Sequence, residues 1–372
     1  MSTDIKQKFR QFTGTESFEE FSVTSLFADV FKHHETSEIE RMFSVGVPGT
    51  IPPIEEVNTF WPRPWMFLRA LMGLGVLYLL FVLCWEMFEN LNLLPGLIVT
   101  GAMAIPLSTV LFFFEVNARR NVSLYQVLRM VLLGGIVSLA FSLVLFESPL
   151  AVFGWLGDSV AGIVEEPGKV LALLAVARSA QYRYKLNGLL FGACVGAGFA
   201  MFESMGYAFQ ILLATEDTAA MNGNIFIRGV LSPFGHVAWT AIAGAALWRV
   251  KGAHSFKFEM LKDSRFLRTF SVSVVMHMIW NLDLELPFMA KYIAVGFVSW
   301  AIVFSLVQEG LKELREEKRQ AFLGRVREYL ANDGVIDDDE RRDLEELGEK
   351  LGISNEAMER LMTTVAEERT KM

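Results

Sequence analysis

The chain has 372 residues, 52% hydrophobic and 20% charged, with a net charge of −8 and a mean hydropathy of +0.36. Water-soluble domains carry about 25% charged residues, so this composition excludes disordered, fibrous and ordinary soluble classes and predicts an all-α polytopic membrane protein. The acidic balance argues against nucleic acid as a partner. Cys84 and Cys194, both inside apolar runs, provide no disulfide framework.

Residues 1–62 read as a cytoplasmic N-terminal helical region. It has a partly amphipathic stretch from Ser22 to Met42, a breaker from Pro48 to Pro53, and too polar a start for a cleavable signal. His33 and His34 read as a solvated pair, because no cysteine or carboxylate stands at metal-ligand spacing. A spanning helix needs about 20 mainly apolar residues, and residues 63–308 provide eight candidates. These are Pro64 to Phe88, Leu93 to Val116, Leu124 to Phe146, Leu150 to Ala177, Leu186 to Ala214, Ile225 to Val250, Phe266 to Leu284 and Pro287 to Val307.

Basic residues mark the cytoplasmic loops. Arg119 and Arg120 follow the second span, Arg178, Arg183 and Lys185 the fourth, and Lys251, Lys257, Lys262, Arg265 and Arg268 the sixth. Arg228 and Lys291 break the pattern. Both termini are therefore expected in the cytoplasm, as an even helix count requires. Residues 309–372 form a charged helical tail. Its run from Asn332 to Glu340 has part of a calcium-loop pattern, with Asp333, Asp337 and Glu340 at ligand positions, but Tyr329 and Ala331 stand where acids are needed. The simpler reading is helix, turn, helix, with Asp337 to Asp339 at a helix N-terminus.

Ionisable residues inside spans are costly and point to function. Here they gather in spans four to seven as Glu165, Glu166 and Lys169, then Glu203, His236 and His277 with Asn281. Glu165 and Lys169 are i,i+4 and share a helix face, as do His277 and Asn281. Pro167 predicts a kink or an opened turn beside the acids. Counted from the cytoplasmic ends at 1.5 Å per residue, these side chains fall in one layer about 15–25 Å deep. Gly188, Gly192 and Gly196 repeat at four-residue spacing and would admit a close helix neighbour. Asp158 reads as a cavity or interface residue, and Asp283 and Glu285 as solvated groups at the outer surface.

Four blocks stand in order across residues 150–285: EExxK (Glu165, Glu166, Lys169), FxxxE (Phe199, Glu203), HxxxxxxxG (His236, Gly244) and HxxxN (His277, Asn281). Together with Ser232-Pro233-Phe234-Gly235 they resemble the PrsW-type intramembrane proteases, distant relatives of CAAX-prenyl endopeptidases and bacteriocin-processing enzymes. The last block is often HxxxD in that family. Asn281 departs from it and cannot serve as a carboxylate base.

The resemblance implies a protease of a prokaryotic cell membrane that cuts a single-span membrane protein in the lipid bilayer, with anti-sigma factors as the substrate type. Independently, a carboxylate desolvated by apolar helices is suited to act as general base, which makes Glu165, or else Glu166, the expected activator of water, with Glu203 sharing the water or its proton. Lys169 and Glu166 would hold the geometry, His277 and Asn281 would donate to the oxyanion, and His236 would orient a carboxylate or the substrate carbonyl. Phe199 and Gly244 are supporting positions. No cofactor is expected. A zinc enzyme using Glu165, Glu203, His236 and His277 is the alternative, although no HExxH is present. A proton-coupled transporter built on the same residues and a silent membrane adaptor are the remaining readings.

Overall fold

The computed structural model describes residue 24 and residues 27–47, 49–147, 149–284, 286–332 and 334–370. Asp333 and Glu285 lie outside the described residues, as does Ser22. Among the described residues there is no strand. The helices are α1 (Thr36–Phe43), α2 (Met66–Phe88), α3 (Leu94–Val116), α4 (Leu124–Phe146), α5 (Val160–Ala177), α6 (Lys185–Thr215), α7 (Thr218–Leu231), α8 (His236–Lys251), α9 (Ser264–Asn281), α10 (Ala290–Asn332), α11 (Asp338–Leu351) and α12 (Asn355–Thr370).

Among the described residues, six stretches are long and apolar enough to cross a membrane: Met66–Phe88, Leu91–Val116, Leu124–Phe146, Lys185–Thr215, Thr218–Lys251 and Pro287–Asn332. The sequence led us to expect eight. The other two expected segments are helical as α5 and α9, at 18 residues each. They fall short on apolarity because α5 carries Glu165, Glu166 and Lys169, and α9 carries Arg265, Arg268 and His277. Two of the four helices that carry the clustered acids and histidines are thus the ones that look least like spans.

The core is built on α6. Every residue from Leu186 to Met201 is buried, as is every residue from Val237 to Trp248 in α8. A helix enclosed on all faces by other helices needs no polar face. Glycine permits the close approach. A Cβ on Gly188 would lie 2.6 Å from the Gly244 carbonyl oxygen, one on Gly192 2.1 Å from that of Thr240, and one on Gly196 2.3 Å from that of His236. The expected neighbour of the glycine stripe is therefore α8, and Gly244 is its packing partner.

Three local features differ from the expectations. The helix runs unbroken through Pro167. Instead the break falls in the predicted sixth span, where Ser232–Phe234 forms a 3-10 turn and Gly235 leaves helical geometry, so α7 and α8 are half-helices. In α4 a π-turn at Met130–Gly134 lets Gly198 of α6 pack against the Val131 carbonyl. His34 is not solvated. It stacks on Trp65 at 3.6 Å between ring centres, and its Nδ1 pairs with Glu38 at 3.0 Å, while His33 is exposed.

Elsewhere acidic side chains tie the helix ends, and at Asp337 as the sequence suggests. Glu115 at the end of α3 accepts from the backbone N–H groups of Trp65, Met66 and Phe67 at 2.8–2.9 Å, capping α2. Asp337 caps α11 by accepting from the Asp339 and Glu340 backbone, and Glu340 returns the bond in a capping box. α10 continues for 43 residues, about 65 Å at 1.5 Å per residue, into a small cluster with α11 and α12 around Phe322, Val326, Leu344 and Met358.

The glycine contacts give a direct test. Gly192→Leu should destabilise the bundle by about 3 kcal/mol or more through forced separation of α6 and α8. Gly73→Ala, at a position with nothing within 4 Å, should change stability by less than about 1 kcal/mol. Thermal denaturation of the detergent-solubilised protein measures both.

Candidate active site

The site begins with a lysine. Lys169 is fully buried on α5, and its ammonium has three hydrogens to place. They go to Glu166 Oε1 at 2.8 Å, Glu165 Oε2 at 3.2 Å and His236 Nδ1 at 2.9 Å. The Phe199 ring lies beneath the charge, 4.1 Å from Nζ to its centre. Glu165 and Glu166 reach the ammonium because i,i+4 and i,i+3 positions share a helix face. His236 reaches it because α8 starts at the helix break.

The network extends in two directions. Glu166 Oε1 also accepts from His277 Nδ1 at 2.9 Å. A carboxylate only accepts, so His277 carries a proton on Nδ1; in the neutral ring Nε2, which lies 3.8 Å from Glu165 Oε2, then presents its lone pair. The His277 ring is held by stacking on Trp239 at 4.6 Å between ring centres, and Trp239 is fixed by its indole N–H to Ser299 Oγ at 3.1 Å. On the other side His236 Nε2 donates to Glu203 Oε2 at 3.1 Å, and Arg228 donates to the same oxygen. Glu166 Oε2 is buried and finds no hydrogen-bond partner among the described residues.

A cavity of about 1380 Å³ opens onto this network. Glu165, Glu203, His236, His277 and Asn281 line it, while Glu166 and Lys169 lie behind the wall. Asn281 stands one turn beyond His277, with its Nδ2 on the Asp158 carbonyl at 3.4 Å. Asp158 and Asp283 also line the cavity.

The structure thus brings together Glu165, Glu166, Lys169, Glu203, His236 and His277, with Phe199 beneath the lysine. Asn281 is on the same cavity wall but outside the hydrogen-bonded cluster. Gly244 is remote, two turns down α8. The sequence reading overlooked Arg228 and Trp239 as site residues. Arg228 was visible as a cation inside an apolar segment, which demands a partner; nothing in the pattern distinguishes Trp239 from other packing aromatics.

The model for the PrsW family intramembrane metalloproteases matches residues 122–307, half the chain. The chain belongs to the PrsW family. It is an integral membrane protein of a protease family, and the matched region takes in all four motif blocks together with α4 and the start of α10. No curated protein and no solved structure matches the chain.

The family description raises the question of a metal, and the donor set answers to one. Glu165, His236 and His277 offer ligand atoms that all lie within 4.8 Å of one another. Two imidazoles and a carboxylate suit zinc. His277 has the arrangement of a metal ligand whose second nitrogen is fixed by a carboxylate, here Glu166. Three carboxylates face two cations, Lys169 and Arg228, so the cluster retains one negative charge to balance an added cation or proton. These residues fit a metal once His236, whose nitrogens here meet Lys169 and Glu203, gives up one of those bonds for the ion.

Because breaking a buried ion pair leaves an uncompensated charge, Lys169→Met should cost about 3–5 kcal/mol. Lys169→Met combined with Glu166→Leu should recover most of that stability without recovering function. Thermal melts of the single and double variants test the pairing.

Proposed function

We propose that this PrsW protein is an endopeptidase that hydrolyses a single-span membrane-protein substrate, with Glu165 as the base that activates water. The observation that carries the reading is the division of labour among three carboxylates. Glu165 alone both lines the cavity and is held by a single hydrogen-bond donor, Lys169. Glu166 is behind the wall with two donors on one oxygen, and Glu203 is tied to Arg228 and His236.

In this mechanism water lies between Glu165 and His277. Glu165 takes one proton, and His277 Nε2 accepts a hydrogen bond from the second hydrogen of the same water. The hydroxide oxygen attacks the amide carbon, and Asn281 donates to the oxygen of the tetrahedral intermediate. Glu165 then passes its proton to the leaving amine. This gives His277 an accepting role at first, in place of the donor role implied by the resemblance. Lys169 and Glu166 act by holding Glu165 and His277 in place. If the family's metal is present, Glu165, His236 and His277 would hold it, and it would supply Lewis-acid activation of water or of the scissile carbonyl. Family membership supports a peptidase over the proton-coupled transporter and over a silent adaptor.

We further propose that α5 and α9 cross the bilayer alongside the six apolar segments, giving eight spans with both termini in the cytoplasm of a prokaryotic cell. Each is 18 residues, about 27 Å, close to the hydrocarbon thickness. On this arrangement residues 1–62 and 309–372 are cytoplasmic regions flanking a membrane domain at 63–308. From the ends that carry the basic loops, Glu165, Glu203, His236 and His277 lie about 18–27 Å deep. Cleavage is then expected toward the outer leaflet. An anti-sigma-factor-like substrate follows from family resemblance only.

Glu165→Gln should abolish cleavage of a co-expressed single-span substrate, by about 10³-fold or more, at unchanged protein level. Full activity in that variant would defeat the Glu165 mechanism. Terminal sequencing of the products should place the cut in the outer half of the span. Metal analysis of the purified protein, with activity before and after chelation, separates the two ways of activating water: a stoichiometric zinc whose removal stops cleavage assigns Glu165 as a ligand.

A further inference from the structure

Arg228 belongs to none of the four motif blocks, and the water chemistry above does not use it. It lies on α7 at the cavity wall. Its Nη2 donates to Glu203 Oε2, its Nε donates to Ser204 Oγ at 3.1 Å, and its guanidinium sits over the Tyr207 ring at 4.4 Å. His236 donates to the same Glu203 oxygen from the other side of the helix break. One carboxylate oxygen on α6 therefore joins the two half-helices, α7 through Arg228 and α8 through His236.

The contact bears on the orientation of His236. A glutamate has three side-chain torsions, and nothing in α6 alone aims its carboxylate at an imidazole. Arg228 supplies the missing constraint with two prongs, one on Glu203 and one on the adjacent Ser204. Glu203 so held accepts from His236 Nε2, which leaves the proton on Nε2 and the lone pair on Nδ1. That lone pair receives the third hydrogen of Lys169. The chain of contacts runs from Arg228 through Glu203 and His236 to the ammonium that holds Glu165.

We infer that Arg228 is a positioning residue of this site: through Glu203 it fixes the ring orientation and tautomer of His236, and with them the third hydrogen bond of Lys169. The effect on rate rests on the peptidase reading; the effect on His236 does not.

The test uses full-length protein labelled with ¹⁵N-histidine in lipid nanodiscs, with the His236 signals identified by their loss in His236→Gln. Wild type should show a single tautomer protonated at Nε2. Arg228→Gln should show a mixture, and Arg228→Lys, which keeps the charge but lacks the fork, should recover most of the wild-type signal. Ser204→Ala removes one prong only and should give an intermediate spectrum, so it serves if Arg228→Gln does not fold. A wild-type His236 spectrum in folded Arg228→Gln, or in Ser204→Ala where that variant stands in, overturns the inference. Against a single-span substrate that wild type cuts, Arg228→Gln should lower kcat about 10–100-fold, the usual effect of losing such a support, with KM unchanged and rescue by lysine. A raised KM at unchanged kcat would make Arg228 a substrate contact and overturn the positioning role. If wild type cuts nothing, the peptidase reading fails while the spectra still decide the inference.

Discussion

Lys169 carries three ammonium hydrogens into an interior closed to water, and each must find an acceptor, since an isolated buried cation costs several kcal/mol. Two acceptors, Glu165 and Glu166, come from one turn earlier on the same helix. Helical geometry provides them without any help from the fold. The third, His236, comes from α8, and it alone carries tertiary information. It locks α5 to α8 and requires α8 to begin where it does. His277 adds the second lock, from α9, through the shared oxygen of Glu166.

A polar layer of this kind persists in an apolar bundle only if the surrounding backbone can come close enough to seal it. The glycines of α6 do that on two faces, Gly188, Gly192 and Gly196 against α8 and Gly198 against α4. The helix break at Ser232–Gly235 raises the same difficulty for the backbone, because unpaired peptide groups are costly away from water. Here they are met by one local partner and one from α10. The Pro233 carbonyl accepts from the Trp300 indole at 3.1 Å, and Ser232 accepts from the Gly235 N–H through its own carbonyl at 3.3 Å. The interruption is therefore an integral part of the fold, and it lets His236 and Arg228 converge on one oxygen.

The parts of this arrangement legible in the sequence are those set by local periodicity. The i,i+4 pairing of Glu165 with Lys169, the close-packing face of α6, and the Asp337 cap all follow from spacing along one helix. The break was misplaced because Pro167 and Pro233 carry the same local signal, and only tertiary packing decides which helix yields. α5 and α9 contain enough charge to fail as spans by composition; within α5 Lys169 offsets Glu165 and Glu166, but the imidazoles that complete the network come from α8 and α9. Arg228 shows the same limit: a cation in an apolar segment signals that a partner exists, but Glu203 lies 25 residues away on another helix.

The cavity lining is mixed in character. It includes Leu143 and Ile227, which are 61% and 52% exposed on the apolar surface of the bundle. It also includes Asp158, Asn281, Asp283 and Lys291, polar groups beside which water is stable. Glu165 lines the same cavity, with 7% of its surface exposed. One residue along α5, at Glu166, the side chain is turned by about 100° into the sealed layer, where it holds His277. The helix rotation thus sets two adjacent glutamates on opposite sides of a single wall, Glu165 lining the cavity and Glu166 behind it.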